Sequence, residues 1–120
     1  MKLFKVTAAG EGSPWEYDGD YRTIAPAIGA ELFDVVTIIP GELACYVDDE
    51  GLLTNRPINV VASILYAEER GAQTPLVGDA IFFRPTADGD MTELGEAGLR
   101  ALACARIAME LAAEHISRQN

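Results

Sequence analysis

One β-branched run constrains the fold of this chain more than any other feature. Residues Leu32–Ile39 read Leu-Phe-Asp-Val-Val-Thr-Ile-Ile, and this density of Val, Ile and Thr is typical of a strand. Pro40-Gly41-Glu42 then supplies turn-forming residues, after which the apolar run Leu43–Val47 returns. Because a short turn between two such runs joins antiparallel neighbours, the sequence predicts an antiparallel hairpin.

Two segments between the hairpin and the chain's ends predict short helices. Either Asp20 or Thr23 can cap a helix over Tyr21–Ile28, since the proline within it is tolerated only in a first helical turn. Asn59 can cap the amphipathic segment Val60–Glu69, whose apolar residues recur at helical spacing. Two further strands are predicted, over Lys2–Ala8 and Leu76–Arg84.

The strongest helix signal is the alanine-rich segment Glu93–Arg118, which Thr92 can cap. Its apolar residues occupy two faces and leave only a narrow polar arc, a wider sector than packing on one sheet requires. Either the helix is well buried or its second face meets another molecule. A homo-oligomer through this helix is therefore one hypothesis, with the candidate contact residues Leu99, Leu102, Ile107, Met109, Leu111 and Ile116.

These elements together predict a single α+β domain over residues 1–120. We expect a small, mostly antiparallel sheet of about four strands, packed against a long C-terminal helix at about residues 93–118 and two short helices. The length alone agrees with one domain, since domains most often have about 100–150 residues.

The charge of the chain excludes one class of partner. Nineteen acidic and nine basic residues give a formal net charge of −10. A phosphate backbone requires a concentrated positive face, so we expect no direct contact with nucleic acid. No uncharged stretch approaches the roughly 20 residues that span a bilayer, and the first residues lack a signal-peptide core. We expect no membrane partner and a location in the cytoplasm of a bacterial host.

The negative charge is concentrated in the first half of the chain. The segment Glu11–Glu50 contains ten acidic residues and only Arg22 as a base, which is a net charge of −9. Within it, aromatic rings alternate with acids and either cover the core or form an anionic binding surface. The candidate partner-binding residues are Trp15, Glu16, Tyr17, Asp18, Asp20, Tyr21, Asp48, Asp49 and Glu50.

No arrangement of residues in the sequence indicates catalysis. His115 is the single histidine, and a fraying terminal helix positions a general base poorly. The chain has neither a nucleophile-elbow serine nor a phosphate-binding glycine loop. Two distant cysteines and one histidine do not match zinc spacing, and the Asp-Gly pairs are foremost turn formers. We expect a protein that is not an enzyme and holds neither a cofactor nor a metal.

Three short blocks of the sequence carry a resemblance to a known family. They are Asp18-Gly19-Asp20-Tyr21-Arg22-Thr23-Ile24 with Ile28-Gly29-Ala30, Asp48-Asp49-Glu50-Gly51-Leu52-Leu53 with Pro57-Ile58-Asn59, and Val77-Gly78-Asp79-Ala80-Ile81-Phe82. In order and spacing they resemble a family of small proteins of unknown function from phages and plasmids, common in actinobacterial phages. The resemblance covers about residues 15–100 and departs at Pro26 and in the longer C-terminal helix. It implies an α+β domain and a mobile-element origin, and it carries no catalytic residues.

Two hypotheses of function follow. The first is a non-enzymatic phage or mobile-element accessory protein that binds a host protein, as an acidic mimic of nucleic acid or an anti-defence factor. The second is a binding protein or sponge for a small nucleotide-like ligand. The rings of Trp15, Tyr17 and Tyr21 would stack on the base of such a ligand, and Arg22 or Arg56 would bind its anionic group.

Overall fold

An antiparallel sheet lies at the centre of the fold. The computed structural model describes the backbone of residues 1–119 and the side chains of residues 1–116. The strands are β1 (Lys2–Val6), β2 (Gly12–Glu16), β3 (Phe33–Ile39), β4 (Leu43–Asp48), β5 (Ala80–Pro85) and β6 (Met91–Thr92). Five of them lie side by side in the order β2-β1-β5-β4-β3, and β6 pairs with β5. Every pairing is antiparallel.

The sheet has six strands, so the predicted count of about four is too small, while the α+β class is confirmed. The sequence assigns a loop to residues 10–14 because Gly, Ser and Pro favour turns. In the structure this segment contributes to β2, where Pro14 lies opposite Phe4 of β1. Proline is tolerated at that position because β2 is an edge strand. The second unpredicted strand, β6, has only two residues.

The predicted hairpin is confirmed and forms β3 and β4, with Phe33 opposite Asp48 and Ile39 opposite Leu43. All six residues of β4 are buried, because the sheet is covered on both faces. Leu43 and Cys45 contribute to a core under the helices that follow, which makes this the helix face. Residues on the opposite side, such as Tyr46, pack under the segment 21–28, which makes that side the turn face.

The two short helices form close to their predicted positions. A 3₁₀ turn (Tyr21–Thr23) leads directly into α1 (Ile24–Ala27), and Asp20 caps the turn by accepting from the Arg22 N–H at 3.0 Å. Helix α2 (Val60–Arg70) begins after Asn59, whose Oδ1 accepts from the Ala62 N–H at 3.0 Å. Both predicted caps are therefore present.

The predicted strand over Leu76–Arg84 is shorter in the structure and begins at Ala80 as β5. Its first residues instead bond the connection before α2: the Asn59 N–H donates to the Leu76 carbonyl, and the Gly78 N–H donates to the Pro57 carbonyl. These bonds hold that connection against the end of β5.

The C-terminal helix α3 (Glu96–Gln119) begins three residues later than predicted, because Thr92 is paired in β6. Its 24 residues give a length of about 36 Å. Leu102 and Ala105 are buried on the helix face, whereas every side chain from Glu110 to Ile116 is exposed. The second half of α3 thus extends past the core. Among the described residues, no helix combines the length and apolarity needed to cross a membrane.

Candidate partner-binding surface

The three aromatic rings of the predicted surface have different environments. Tyr17 is buried in the core of the turn face, and the half-buried Trp15 stacks on it with ring centroids 5.8 Å apart. These two rings cover the core, which was one of the two alternatives that the sequence left open. Tyr21 is 67% exposed and is the ring that can contact a partner.

Three carboxylates lie around Tyr17, and one of them comes from a distant part of the chain. Burial raises the pKa of Tyr17, and the charges of Asp18, Asp20 and Asp90 raise it further. Asp18 and Asp20 belong to the surface predicted from the sequence, whereas Asp90, in the loop between β5 and β6, does not. No local pattern brings residue 90 near residue 17, so only the tertiary fold reveals this neighbour.

The acids between residues 16 and 20 are partly neutralised. The Arg22 guanidinium donates to both carboxylate oxygens of Asp20, from Nε and from Nη2, each at 3.0 Å. These hydrogen bonds lower the pKa of Asp20. Glu16 pairs with the N-terminal amine at 3.1 Å. Asp18 is exposed and accepts from the Asp20 N–H at 2.9 Å.

Asp48 does not belong to the surface, unlike the two acids that follow it. Its side chain is only 4% exposed, and its Oδ2 lies 2.7 Å from Nε of Arg56. The contact is an ion pair, because the Nε–H group is not aligned for a hydrogen bond. Oδ1 accepts from the Glu50 N–H at 2.9 Å and shapes the turn. Asp49 is exposed and Glu50 half-exposed, so these two stay on the surface.

Arg56 connects the three sequence blocks. It pairs with Asp48 of the second block, and it packs over Gly29 of the first and Gly78 of the third. A Cβ atom at Gly29 would lie 3.1 Å from a guanidinium nitrogen, and one at Gly78 would lie 3.1 Å from Cδ of the same arginine. Both glycines have positive φ, +69° and +78°, which L side chains rarely adopt. The packing of Arg56 against Asp48, Gly29 and Gly78 therefore has a structural role.

The exposed acids near β3 keep their negative charge. Arg22 and Arg56 are the basic residues between positions 11 and 56, and each already pairs with an aspartate. In the part of the chain that the structure describes, no ion pair involves Glu31, Asp34 or Asp49. We call the group formed by Glu31, Asp34 and Asp49, which lie in or beside the β3–β4 hairpin, the acidic surface.

Two concavities flank the first half of β3. The first, of about 480 Å³, lies on the helix face and is lined by Asp34 and Asp49 together with Leu52 and Leu53, which are 62% and 88% exposed. The second, of about 410 Å³, lies on the turn face, and its lining includes Tyr21, Arg22, Glu31, Leu32 and Phe33. Exposed apolar side chains with a polar rim are a feature of surfaces that bind protein.

The candidate self-association residues separate into two groups. Leu102 is buried and Met109 packs against the same core, so these two contact their own domain rather than a second molecule. Leu99, Ile107, Leu111 and Ile116 are exposed. These four side chains are accessible for contact with a second molecule.

The thiols and potential metal ligands show no preformed centre. Burial raises the pKa of the Cys45 thiol to about 12, while Cys104 is exposed on α3. Within residues 1–116, no group of three or more His, Cys, Asp or Glu side chains is arranged to hold a metal ion.

The fold and this surface define a small α+β domain whose antiparallel sheet is covered on both faces. The chain belongs to the family described as a domain of unknown function, DUF3846, whose model matches residues 1–103. No curated protein and no solved structure matches the chain. The family match ends within α3, so the exposed second half of that helix lies beyond it.

Proposed function

We propose that this protein is a non-enzymatic accessory protein of a phage or another mobile element, which binds a host protein and acts against a host defence factor. The observation that carries this proposal is the acidic surface, whose neighbouring bases Arg22 and Arg56 are both occupied by other acids. Its charge is therefore available to a basic partner.

The chemistry of the surface favours a protein partner of one kind. A host protein that binds nucleic acid has a basic groove, and a field of exposed carboxylates attracts such a groove over several ångströms. Tyr21, Leu52 and Leu53 supply apolar contact area next to those carboxylates. Tyrosine in particular is enriched among residues that contribute most to binding.

A salt series tests the proposal. The protein, immobilised through its N-terminus on a long linker, is exposed to host lysate between about 50 mM and about 500 mM salt, a range over which the screening length falls several-fold. We expect a host protein that is captured at low salt and released at high salt. Capture that is equal at both ends of the series would contradict an electrostatic interface.

Two charge-matched variants locate the interaction. Asp34→Asn/Asp49→Asn removes two charges from the acidic surface, and Glu11→Gln/Glu110→Gln removes two exposed charges from the other side of the molecule. Glu11 precedes β2 at the opposite edge of the sheet, and Glu110 is exposed on α3. We expect only Asp34→Asn/Asp49→Asn to fail to capture the host protein. Equal losses in both variants would show that net charge, rather than this surface, is responsible.

The second concavity favours one alternative function. Tyr21 and Phe33 line it with Arg22, which are residue types that stack on a base and contact an anion. On this alternative the protein is a sponge for a nucleotide-like ligand, and Arg22 exchanges Asp20 for the ligand. Native mass spectrometry of protein purified from host cells separates the two: a retained small ligand supports the sponge, and the bare chain mass supports a protein partner.

A further inference from the structure

The two edges of the sheet differ in their capacity to pair with another strand. The β2 edge carries Pro14, which has no N–H to donate and interrupts any added ladder. The β3 edge contains no proline, and among the described residues β3 pairs only with β4. Val35 is 48% exposed on it, and Thr37 is exposed as well. The β3 edge is thus the one open to strand addition.

A hydrogen bond within β3 shows where the free backbone groups are. The Val35 N–H donates to Oδ1 of Asp34, the preceding residue, at 2.8 Å. The Asp49 N–H donates to the Leu32 carbonyl, and the direction of the N–H groups alternates along a strand. Those of Phe33, Val35 and Thr37 therefore point away from β4 to the free edge. A cationic side chain that pairs with Asp34 would compete for that carboxylate and release the N–H for a new backbone partner.

The concavities lie where the side chains of an added strand would point. Alternate residues of a strand face opposite sides of a sheet. Accordingly Asp34 and Val36 line the first concavity on the helix face, and Phe33 lines the second on the turn face. A strand added beside β3 would direct its own alternate side chains into the same two spaces.

The charges around β3 select the occupant. Asp34 and Asp49 border the first concavity and Glu31 borders the second, while Arg22, the basic residue in either lining, is held by Asp20. A basic segment complements this border. A second copy of the chain would instead bring the same acids against themselves at the paired edges.

We propose that β3 is a docking edge for an extended, lysine- or arginine-rich segment of a partner protein. The segment adds as a seventh strand, pairs its cations with Asp34, Asp49 and Glu31, and places apolar side chains in the two concavities. This inference rests on the proposed function, because the segment is the part of the host protein that contacts the acidic surface.

Two synthetic peptides of equal charge test the docking mode with the full-length chain. One alternates lysine with valine and forms a strand readily, and the other alternates lysine with glycine and does not. We expect the lysine–valine peptide to bind about tenfold more tightly in calorimetry, because only it forms backbone pairs and fills both concavities. In a hydrogen-exchange experiment, the bound lysine–valine peptide should slow the exchange of the backbone amides of Phe33, Val35 and Thr37.

Variants at one position separate strand addition from simple attraction. Val35→Pro removes the free N–H of the edge. Val35→Lys keeps this N–H but places a cation on the edge, where it repels the lysines of the peptide. The lysine variant provides the test if the proline variant does not fold. Each substitution should lower the affinity for the lysine–valine peptide by about tenfold. Ser13→Lys places the same charge on β2, at the opposite edge, and should leave binding unchanged.

Several outcomes would overturn the docking edge. Equal binding of the two peptides, unchanged binding to both Val35 variants, or protection of amides away from β3 would each do so. A dimer of the chain in light scattering that is lost in Val35→Lys would show that the edge pairs with a second copy instead. In each case the proposed function is tested separately, because salt-sensitive capture of a host protein that Asp34→Asn/Asp49→Asn abolishes would still stand.

Discussion

Two segments of this protein each combine clustered acidic residues with an arginine, and they have different physical roles. In residues 18–22 the carboxylates lie at the surface, and Asp20 and Arg22 pair in contact with water. In residues 48–59 two of the polar side chains turn inward: Asp48 pairs with Arg56 inside the fold, and Asn59 is fully buried. The difference shows that burial, and not charge density, decides whether an acid holds the fold together or charges the surface.

The largest effect expected from this comparison concerns Asn59. Its Nδ2 donates to the carbonyls of Val6 and Gly78, at 3.1 and 3.0 Å, and its Oδ1 caps α2. Asn59→Ala removes the cap and leaves two buried carbonyls without that donor, so we expect the free energy of unfolding to fall by about 3 kcal/mol. Urea denaturation measures it.

A nearby position provides the control for Asn59. Asn55 is exposed and has a φ of +57°, a conformation that glycine adopts without strain. Asn55→Gly should therefore change stability by less than about 0.5 kcal/mol. Similar losses in the two variants would show that the whole connection, and not the buried amide, is sensitive to substitution.

The second effect concerns the ion pair inside the fold. Asp48→Asn leaves the Arg56 guanidinium, itself about one-third exposed, without its carboxylate. We expect a loss of about 2–3 kcal/mol in the free energy of unfolding, less than for a fully buried pair because Arg56 can reach water. Asp49→Asn, one residue away and exposed, should cost less than about 0.5 kcal/mol. Equal stabilities of these two variants would remove the distinction between interior and surface acids.

A third effect tests the neighbours of Tyr17. Asp90 is one of the charges that raise the pKa of Tyr17, after burial, Asp18 and Asp20. Asp90→Asn should therefore lower the pKa of Tyr17 and leave it above its ordinary value, because burial persists. Asp88→Asn, in the same loop, is the control, since Asp88 is not among the groups that act on Tyr17. Absorbance during alkaline titration follows the ionisation, and identical curves for both variants would contradict the placement of Asp90.

The smallest effect concerns the surface pair. Arg22 lowers the pKa of Asp20, so the folded state binds that proton less readily than the unfolded chain does. The stabilisation is present above the unfolded pKa and is lost as pH falls through the folded pKa. Arg22→Gln should raise the pKa of Asp20 toward its ordinary value in a carboxyl NMR titration. An unchanged titration of Asp20 would show that the two side chains do not pair in solution.

Local patterns in the sequence predict the local structure well. The β-branched run and its turn predict the β3–β4 hairpin, and the side-chain oxygens of Asp20 and Asn59 predict the helix caps. Each of these signals acts over a few residues, so the sequence contains it directly.

The features that escaped prediction depend on distant partners. Strand β2 begins with the turn-forming residues Gly12, Ser13 and Pro14, which are extended because β1 pairs with them. Asp48 is internal because it pairs with Arg56, which also packs over Gly78, and Asp90 lies near Tyr17 although more than seventy residues separate them in the chain. Leu102 is buried because of where α3 lies on the sheet, which helical periodicity does not specify.

The affinity of the captured host protein for the charge-matched variants tests the central claim most directly. With purified components, the dissociation constant is measured against salt concentration for the unmodified protein and both variants. Asp34→Asn/Asp49→Asn should bind more weakly and with a shallower salt dependence, because fewer charges take part. Glu11→Gln/Glu110→Gln should follow the unmodified protein. If both variants have the same affinity and the same salt dependence, the acidic surface beside β3 is not the interface.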